Sequence, residues 1–267
     1  MYKIIALDMD GTLLNSDKII TEKTKIALQA ARNKGVKVVL ASGRPIDGLR
    51  KYLKELDLVD KDEYVLSYNG SLVQETKGDA IIHESGLKGS DLRYIYSLSS
   101  KLGVNIHAFS GKDGLITPKI SKYTEVEAEL NGIDIKIVDF EKVHVDENII
   151  KIMLIDDEVI LDAALAKLPK EVFERYNVVK STPFFLEIIN KEGNKGQGLK
   201  ALAKHLNVKR EEIIAVGDAG NDIDMIKYAG LGVAMGNATD EVKDLANYQT
   251  SSNNEDGIAE IVERFIM

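Results

Sequence analysis

The feature that most constrains the fold is an alternation of short apolar runs with helical patterns. The run IIAL at residues 4–7 is unbroken and partly β-branched, as in a strand covered on both faces of a parallel sheet. A helical pattern follows, with Thr21 as its candidate N-cap and Gly35 as its stop, and the apolar run VKVVLAS comes next. Strands that alternate with helices predict an α/β fold with a doubly wound parallel sheet.

The same alternation resumes after residue 190, but the middle of the chain has a different pattern. The later part contains a helix with apolar residues on one face and the strands EEIIAVGD and LGVAMGN. Residues 84–189 mix helix-like segments with strand-like ones such as NIHAFS, IIKIMLI and FFLEIIN. We therefore predict a core built from residues 1–83 and 190–267, with an inserted α+β domain at 84–189.

Two carboxylates follow directly after the first apolar run, in the stretch IIALDMDGTLL. If the strand continued, Asp8 and Asp10 would point to the same side of it, because side chains alternate along an extended chain. Two like charges ~4 Å apart repel by about 4 kcal/mol at an effective dielectric near 20. A shared proton, a nearby Lys or Arg, or a bound cation would compensate for this repulsion, and the local sequence leaves all three open.

Polar residues also follow other predicted strands. VKVVLAS leads into Gly43 and Arg44, EEIIAV leads into residues 217–222, and the stretch GNKG at 193–196 opens a helix. In an open α/β sheet, ligands bind beyond the carboxyl ends of the strands, so these segments are expected to surround one crevice. Taken singly, each is also typical of a turn or a helix cap. As an ordered set they favour a binding site.

The residue types in these segments indicate what that site would bind. Carboxylate oxygens without His or Cys suit Mg²⁺, a hard cation that leaves coordination positions for water and phosphate. A hydroxyl, a glycine and a lysine suit a phosphate group. An EF-hand is excluded because its required Gly and Glu positions hold Leu13 and Ile19, and the P-loop pattern is absent.

Composition narrows the class of protein further. The chain has 267 residues, 44% of them hydrophobic and 29% charged, which is typical of a globular protein with room for two domains. The net charge of -8 argues against nucleic acids and anionic membrane surfaces as partners. The sequence contains no Cys, which excludes disulfides and thiolate chemistry. We see no signal-peptide pattern or membrane-span pattern, so we expect a cytoplasmic location.

At this point the chain resembles a known family. DMDGT at 8–12, SGR at 42–44, Lys195 and GDAGND at 217–222 match, in order, the four motifs of the haloacid dehalogenase superfamily of phosphatases. NKGQGLKAL, GDAGND and GVAMGNA resemble the Cof-type sugar-phosphate phosphatases in particular. The resemblance covers essentially the whole chain, and we find no departure in the four motifs. It implies a Rossmann-like core, a mobile α/β cap and a phosphoaspartate mechanism.

The resemblance also implies roles for individual residues. Asp8 would be the nucleophile and Asp10 the general acid and base. Mg²⁺ would be bound by Asp8, by the backbone carbonyl of Asp10 and by Asp218, while Asp222 would orient these ligands. The phosphoryl oxygens would be bound by side chains and by N–H groups of Met9, Ser42, Gly43, Lys195 and Asn221.

Several assignments stay open at this stage. Arg44 is compatible with a phosphate contact and equally with a structural salt bridge. The pair Asn69 and Gly70 fits a substrate contact or an ordinary turn. In the inserted region, Phe184, Phe185 and Glu187 are candidates to face the site, although such an alternating segment more often forms the core of a sheet.

The sequence therefore predicts a magnesium-dependent phosphatase of small phosphorylated metabolites, with sugar phosphates as the expected class. One alternative is a sugar phosphomutase or phosphotransferase, because a phosphoaspartate can pass its group to a sugar hydroxyl instead of water. Another is a non-catalytic phosphometabolite-binding regulatory module. Asp8 and Asp10 argue against the module, since binding alone needs neither a nucleophile nor an acid.

Overall fold

The protein is described by a computed structural model covering residues 1–60, 62–78 and 80–267. It divides into two compact units. The core unit comprises Met1–Glu84 and Asn194–Met267, and the inserted unit comprises Ser85–Gly193.

The first segment of the core unit alternates strands with helices. Its elements are β1 (Ile4–Leu7), α1 (Glu22–Asn33), β2 (Lys37–Ala41), α2 (Ile46–Glu55), β3 (Tyr64–Ser67), β4 (Leu72–Glu75) and β5 (Ile81–Glu84). The predicted N-cap of the first helix is confirmed, because the Thr21 side chain accepts a hydrogen bond of 3.2 Å from the backbone N–H of Thr24.

The inserted unit contributes the middle elements of the chain. They are β6 (Leu87–Lys88), α3 (Gly89–Leu102), β7 (Asn105–Ser110), β8 (Gly114–Thr117), α4 (Lys122–Asn131), β9 (Ile135–Ile137), β10 (Asn148–Ile155), α5 (Glu158–Leu165), α6 (Lys170–Arg175), β11 (Tyr176–Thr182) and β12 (Phe185–Asn190).

The last segment returns to the core unit. It consists of α7 (Lys195–His205), β13 (Ile213–Gly217), α8 (Ile223–Tyr228), β14 (Leu231–Ala234), α9 (Asp240–Leu245), β15 (Tyr248–Gln249) and α10 (Gly257–Phe265). Short 3₁₀ turns lie at Tyr68–Gly70, Arg210–Glu212 and Gly220–Asp222.

The core sheet has the strand order β15-β14-β13-β1-β2-β3-β4-β5. Its strands from β15 to β3 pair in parallel, so the predicted α/β fold is confirmed. Strand β4 is antiparallel to its neighbours β3 and β5, and these two pairs depart from the predicted parallel pattern. The reason is the short link between β3 and β4, since only a tight turn fits there and a parallel pair needs a crossover of a dozen or more residues.

Helices cover both faces of the core sheet. Alternate residues of β1 point to opposite faces and pack into two different apolar clusters. Ile5 and Leu7 pack in the cluster that includes Leu28 of α1, whereas Ile4 lies in the cluster that includes Leu199 of α7. Burial on both faces explains why the run of β1 is continuously apolar. Strand β1 lies between β13 and β2, near the centre of the sheet.

The inserted unit forms its own sheet, in the order β11-β12-β10-β7-β8-β9, with β6 paired to β10. Most of its pairs are antiparallel, as expected of an α+β unit. Its apolar cluster joins this sheet to α3, α5 and α6 through residues such as Leu92, Leu161 and Val172. Among the described residues of the whole chain, we find no helix with the length and hydropathy to cross a bilayer.

Candidate active site

The predicted site residues lie at one edge of the core sheet. Asp8 follows β1, Asp218 follows β13 and Ser42 follows β2, and these strands are parallel neighbours. The carboxyl ends of neighbouring parallel strands share an edge, so the polar segments that are distant in sequence meet there.

A buried lysine joins two of the carboxylates. Lys195 is the first residue of α7, and its side chain is fully buried. Its Nζ donates to Oδ1 of Asp8 and, over 2.6 Å, to Oδ1 of Asp222. The ammonium group therefore places a positive charge between Asp8 and Asp222. The question left open by the sequence concerned only Asp8 and Asp10, and the structure gives each of these two carboxylates a basic partner of its own.

Glycine packing allows α7 to start this close to the site. Gly70 has φ +80°, and a Cβ on it would lie 2.6 Å from the carbonyl oxygen of Asn194, the N-cap residue of α7. A Cβ on Gly198 would lie 2.8 Å from the carbonyl oxygen of Gly70. Any side chain at these two positions would therefore push the helix and Lys195 away from the sheet edge.

Asp222 is held in place by the backbone as well as by the lysine. Its Oδ2 accepts hydrogen bonds from the N–H groups of Asp218 and Ala219, at 2.9 and 3.0 Å. Asp222 is fully buried, and a Cβ on Gly217 would lie within 2.6 Å of its carboxylate. Both oxygens of Asp222 therefore have partners, which suits a residue that positions its neighbours.

Asp218 faces the first motif. Its Oδ1 accepts a 2.7 Å hydrogen bond from the Thr12 hydroxyl, and its Oδ2 lies where a Cβ on Gly11 would be only 2.4 Å away. Gly11 also has φ +89°, a conformation that other residues rarely adopt. Glycine at this position therefore allows the turn after Asp10 and the close approach of the Asp218 carboxylate.

The electrostatics of the cluster follow from its burial. Burial raises the pKa of Asp8 to about 7, with the negative charge of Asp222 adding to the shift and Lys195 opposing it. Burial also raises the pKa of Asp218, against the hydrogen bond from Thr12. For Lys195, burial opposes the charged form, but the two carboxylates outweigh it and raise the pKa.

Carboxylate oxygens of Asp8, Asp218 and Asp222 lie within 4.8 Å of one another. These are hard oxygen donors of the kind that Mg²⁺ prefers, and one lysine does not balance three carboxylates. The residues present therefore fit a divalent cation. Because both oxygens of Asp222 have partners, Asp8 and Asp218 are the better placed ligands.

Asp10 does not join this cluster through its side chain. Its carboxylate is 41% exposed and accepts hydrogen bonds from Arg44, at 2.7 and 2.9 Å, and from Lys18 at 2.8 Å. Burial raises the pKa of Asp10, but the bond from Lys18 and the charge of Arg44 outweigh burial and lower it. Arg44 thus forms a salt bridge with Asp10, which is one of the two roles that the sequence left open for it.

The remaining predicted residues form a second group at the sheet edge. The carbonyl of buried Ser42 accepts from the N–H of Asn69 at 2.8 Å, and the Asn221 amide donates to Oδ1 of Asn69 at 3.0 Å. A Cβ on Gly43 would lie 3.2 Å from the amide of Asn69. The side chain of Met9 is buried in the core, so only its backbone is available to a ligand.

Two residues around the site received no role from the sequence. Thr12 binds Asp218, and the Asn237 amide donates to the carbonyl of Gly11 at 2.8 Å. Asn69, for which the sequence left a substrate contact or an ordinary turn open, bridges Ser42 and Asn221. Asn237 follows β14, so the strand-end argument applied to the other segments would also have found it.

Comparisons with known proteins identify the family of the chain. Residues 5–262 match the family of haloacid dehalogenase-like hydrolases. The Bacillus subtilis (strain 168) protein named "Putative phosphatase YxeH" is 42% identical, over 100% of this chain and 99% of its own. A haloacid dehalogenase-like hydrolase from Bacteroides thetaiotaomicron has a crystal structure with a TM-score of 0.88 and 34% identity, covering 100% of both chains.

A second solved structure adds a named activity. The subclass IIB sugar phosphatase BT4131 aligns with a TM-score of 0.80 and 26% identity, over 98% of both chains. With the family match spanning nearly the whole sequence, the chain belongs to the haloacid dehalogenase-like hydrolases and is a phosphatase of that family.

Proposed function

We propose that this phosphatase is magnesium-dependent and hydrolyses small phosphorylated metabolites, sugar phosphates above all, through an aspartyl phosphate on Asp8. The observation that carries the proposal is the buried cluster in which Lys195 joins Asp8 and Asp222 beside Asp218. A nucleophile, a cation and a hard-oxygen metal site at one sheet edge suit phosphoryl transfer.

Asp8 attacks phosphorus, and the bond between phosphorus and the leaving-group oxygen breaks. Lys195, already bound to Asp8, offsets the repulsion between the anionic nucleophile and the anionic phosphate. Mg²⁺ held by Asp8, the carbonyl of Asp10 and Asp218 would add charge neutralisation. Water then attacks the phosphorus of the aspartyl phosphate, which releases phosphate and restores the Asp8 carboxylate.

Asp10 gives a proton to the leaving oxygen in the first step and takes one from the attacking water in the second. Its lowered pKa suits the second role, because a carboxylate is needed there. The first role requires a protonated carboxyl group, so Asp10 must separate from Lys18 and Arg44 before it acts as the acid.

The phosphoryl oxygens are bound by groups at the same sheet edge. We assign this role to Lys195, the Ser42 hydroxyl, the Asn221 amide and N–H groups near Met9 and Gly43. Asn221 is exposed in the 3₁₀ turn Gly220–Asp222 before α8, so its amide is accessible to a ligand. Asp222 holds Lys195 and the backbone of Asp218 in position.

We assign selection of the leaving group to the inserted unit, acting as a cap, because the core residues named above account only for metal, nucleophile and phosphate. Sugar phosphates are the favoured class, since BT4131 carries that name among the structural relatives. Replacing Ser85–Gly193 with the corresponding unit of a relative that prefers another substrate should change the ranking of kcat/KM among phosphomonoesters. An unchanged ranking in a folded chimera would assign selection to the core.

A turnover screen tests the function itself. The purified chain is assayed against sugar phosphates, other phosphorylated metabolites, phosphopeptides and nucleic-acid ends, with Mg²⁺ and with a chelator. We expect release of inorganic phosphate from sugar phosphates and loss of turnover in the chelator. An isomeric sugar phosphate as product would identify a mutase instead, and binding without turnover would identify a regulatory module.

A further inference from the structure

The turn after β3 has an unusual backbone. Tyr68, Asn69 and Gly70 have consecutive φ values of 50°, 56° and 80°, all in the left-handed region. Bulky residues such as Tyr68 rarely adopt this conformation, and it persists only where the surrounding structure enforces it. A strained turn beside a reaction site points to a functional requirement.

Asn69 connects the two segments to which we assign phosphate binding. Its backbone N–H donates to the carbonyl of Ser42, and its side-chain Oδ1 accepts from the Asn221 amide. Asn69 also lies against Gly43, where a Cβ would come within 3.2 Å of its amide nitrogen. One residue thus contacts the loop after β2 and the turn before α8.

We propose that Asn69 is a positioning residue that orients the Asn221 amide toward the phosphoryl group, an inference that rests on the proposed function. An Asn side chain has two N–H donors and one carbonyl acceptor. Asn69 engages one donor of Asn221, which fixes the nitrogen end of that amide at the site and leaves the second donor for a phosphoryl oxygen. Without Asn69, the exposed Asn221 side chain is free to rotate.

The backbone geometry explains why an asparagine occupies this position. Asn is among the few residues that adopt the left-handed conformation readily, and its short amide reaches a neighbour from there. Glycine would keep the turn but remove the acceptor. The two functions of Asn69 are therefore separable by substitution.

The test combines Asn69→Gly, Asn221→Ala and the double variant in a mutant cycle. Hydrogen bonds involving charged groups contribute roughly 10- to 100-fold, so we expect Asn69→Gly to lower kcat/KM and weaken inhibition by inorganic phosphate by about that factor. The double variant should have the same kcat/KM and phosphate inhibition as Asn221→Ala alone, because Asn69 acts only through Asn221. Additive losses would overturn the proposal.

The matched control is Asn207→Gly. Asn207 also has a left-handed backbone, φ 53°, but it is exposed in the turn after α7. The Asn207→Gly substitution should leave kcat/KM and phosphate inhibition unchanged. Equal effects of the two glycine substitutions would show that Asn69 has only a structural role.

If Asn69→Gly fails to fold, Asn69→Asp provides the test, because Asp also tolerates the left-handed conformation. The added negative charge changes the partner of the Asn221 amide, so phosphate inhibition should weaken, and it should weaken less when Asn221 is already replaced by Ala. Equal weakening with Asn221 and with Asn221→Ala would show a direct charge effect and contradict the proposal. A wild-type chain that releases no phosphate from any phosphomonoester would refute the proposed function. A working wild type with an unaffected Asn69→Gly would refute only the role of Asn69.

Discussion

Each unit of the protein buries a lysine between two carboxylates, and the two lysines differ in their surroundings. In the core, Lys195 lies at a helix start and binds Asp8 and Asp222. In the inserted unit, Lys151 lies in β10, with Nζ 3.4 Å from Glu187 and 3.9 Å from Glu127. Both lysines are almost inaccessible to solvent.

The difference lies in what else surrounds the ammonium groups. Both carboxylates that Lys195 contacts belong to a cluster with Asp218 at the carboxyl ends of parallel strands. Lys151 lies within a strand, 5.1 Å from the ring centroid of Phe109, where its neighbours are side chains of a packed sheet. From this difference we propose a role in catalysis for Lys195 and a structural role for Lys151.

The largest effect that separates the two clusters is expected from Asp8→Asn. An amide cannot form the aspartyl phosphate, so turnover and phosphoenzyme should both be lost. Rapid-quench trapping of acid-stable phosphoenzyme measures the outcome. Glu127→Gln, which changes a carboxylate beside the other buried lysine, is the control and should retain both. Phosphoenzyme in Asp8→Asn would show that another residue is the nucleophile.

Asp10→Asn should have the next largest effect, a loss of about 100- to 10,000-fold in turnover of a sugar phosphate, since general acid–base catalysis contributes that factor. The loss should be smaller with an aryl phosphate, whose leaving group needs no proton. Kinetics on both substrates measure the difference. Equal losses on the two substrates would exclude Asp10 as the acid.

The lysines themselves provide the third test. Lys195→Met should lower kcat/KM by about 100- to 1,000-fold, as expected when a donor to developing phosphoryl charge is removed. Lys151→Met should leave kcat/KM unchanged and lower the free energy of unfolding, because it leaves Glu127 and Glu187 buried without their cation. Urea unfolding of both variants accompanies the kinetics. A catalytic defect in folded Lys151→Met would contradict the comparison.

The smallest effect concerns metal binding and pH. Burial raises the pKa of Asp8 to about 7, so this proposed metal ligand is mostly protonated below that pH and mostly ionised above it. Because a metal ligand must be deprotonated, Mg²⁺ affinity should fall by about tenfold for each pH unit below 7 and level off above it. Calorimetric titrations between about pH 6 and pH 8 measure this. Asp8→Asn should bind weakly with no such dependence, and a flat profile in the wild type would contradict the assignment.

Particular residues show how far sequence reasoning reached. The apolar run of β1, the N-cap at Thr21 and the α/β class follow from local patterns, because burial on two faces and helix capping impose them on neighbouring residues. The antiparallel pairs that β4 forms with β3 and β5 were not predicted from local patterns. The direction of a strand depends on the length of the link to its neighbour, and that length is known only once both strands are located.

The sequence alone determined the types of group at the site and their order along the chain, because strand ends and motif spacing are local properties. Tertiary structure alone decided which groups touch. It placed Lys195 against Asp8 across 187 positions, directed the Asp10 carboxylate to Arg44, and bridged Asn221 to Asn69. Such pairings depend on sheet order and on close glycine packing, and no local pattern specifies which strand lies beside which.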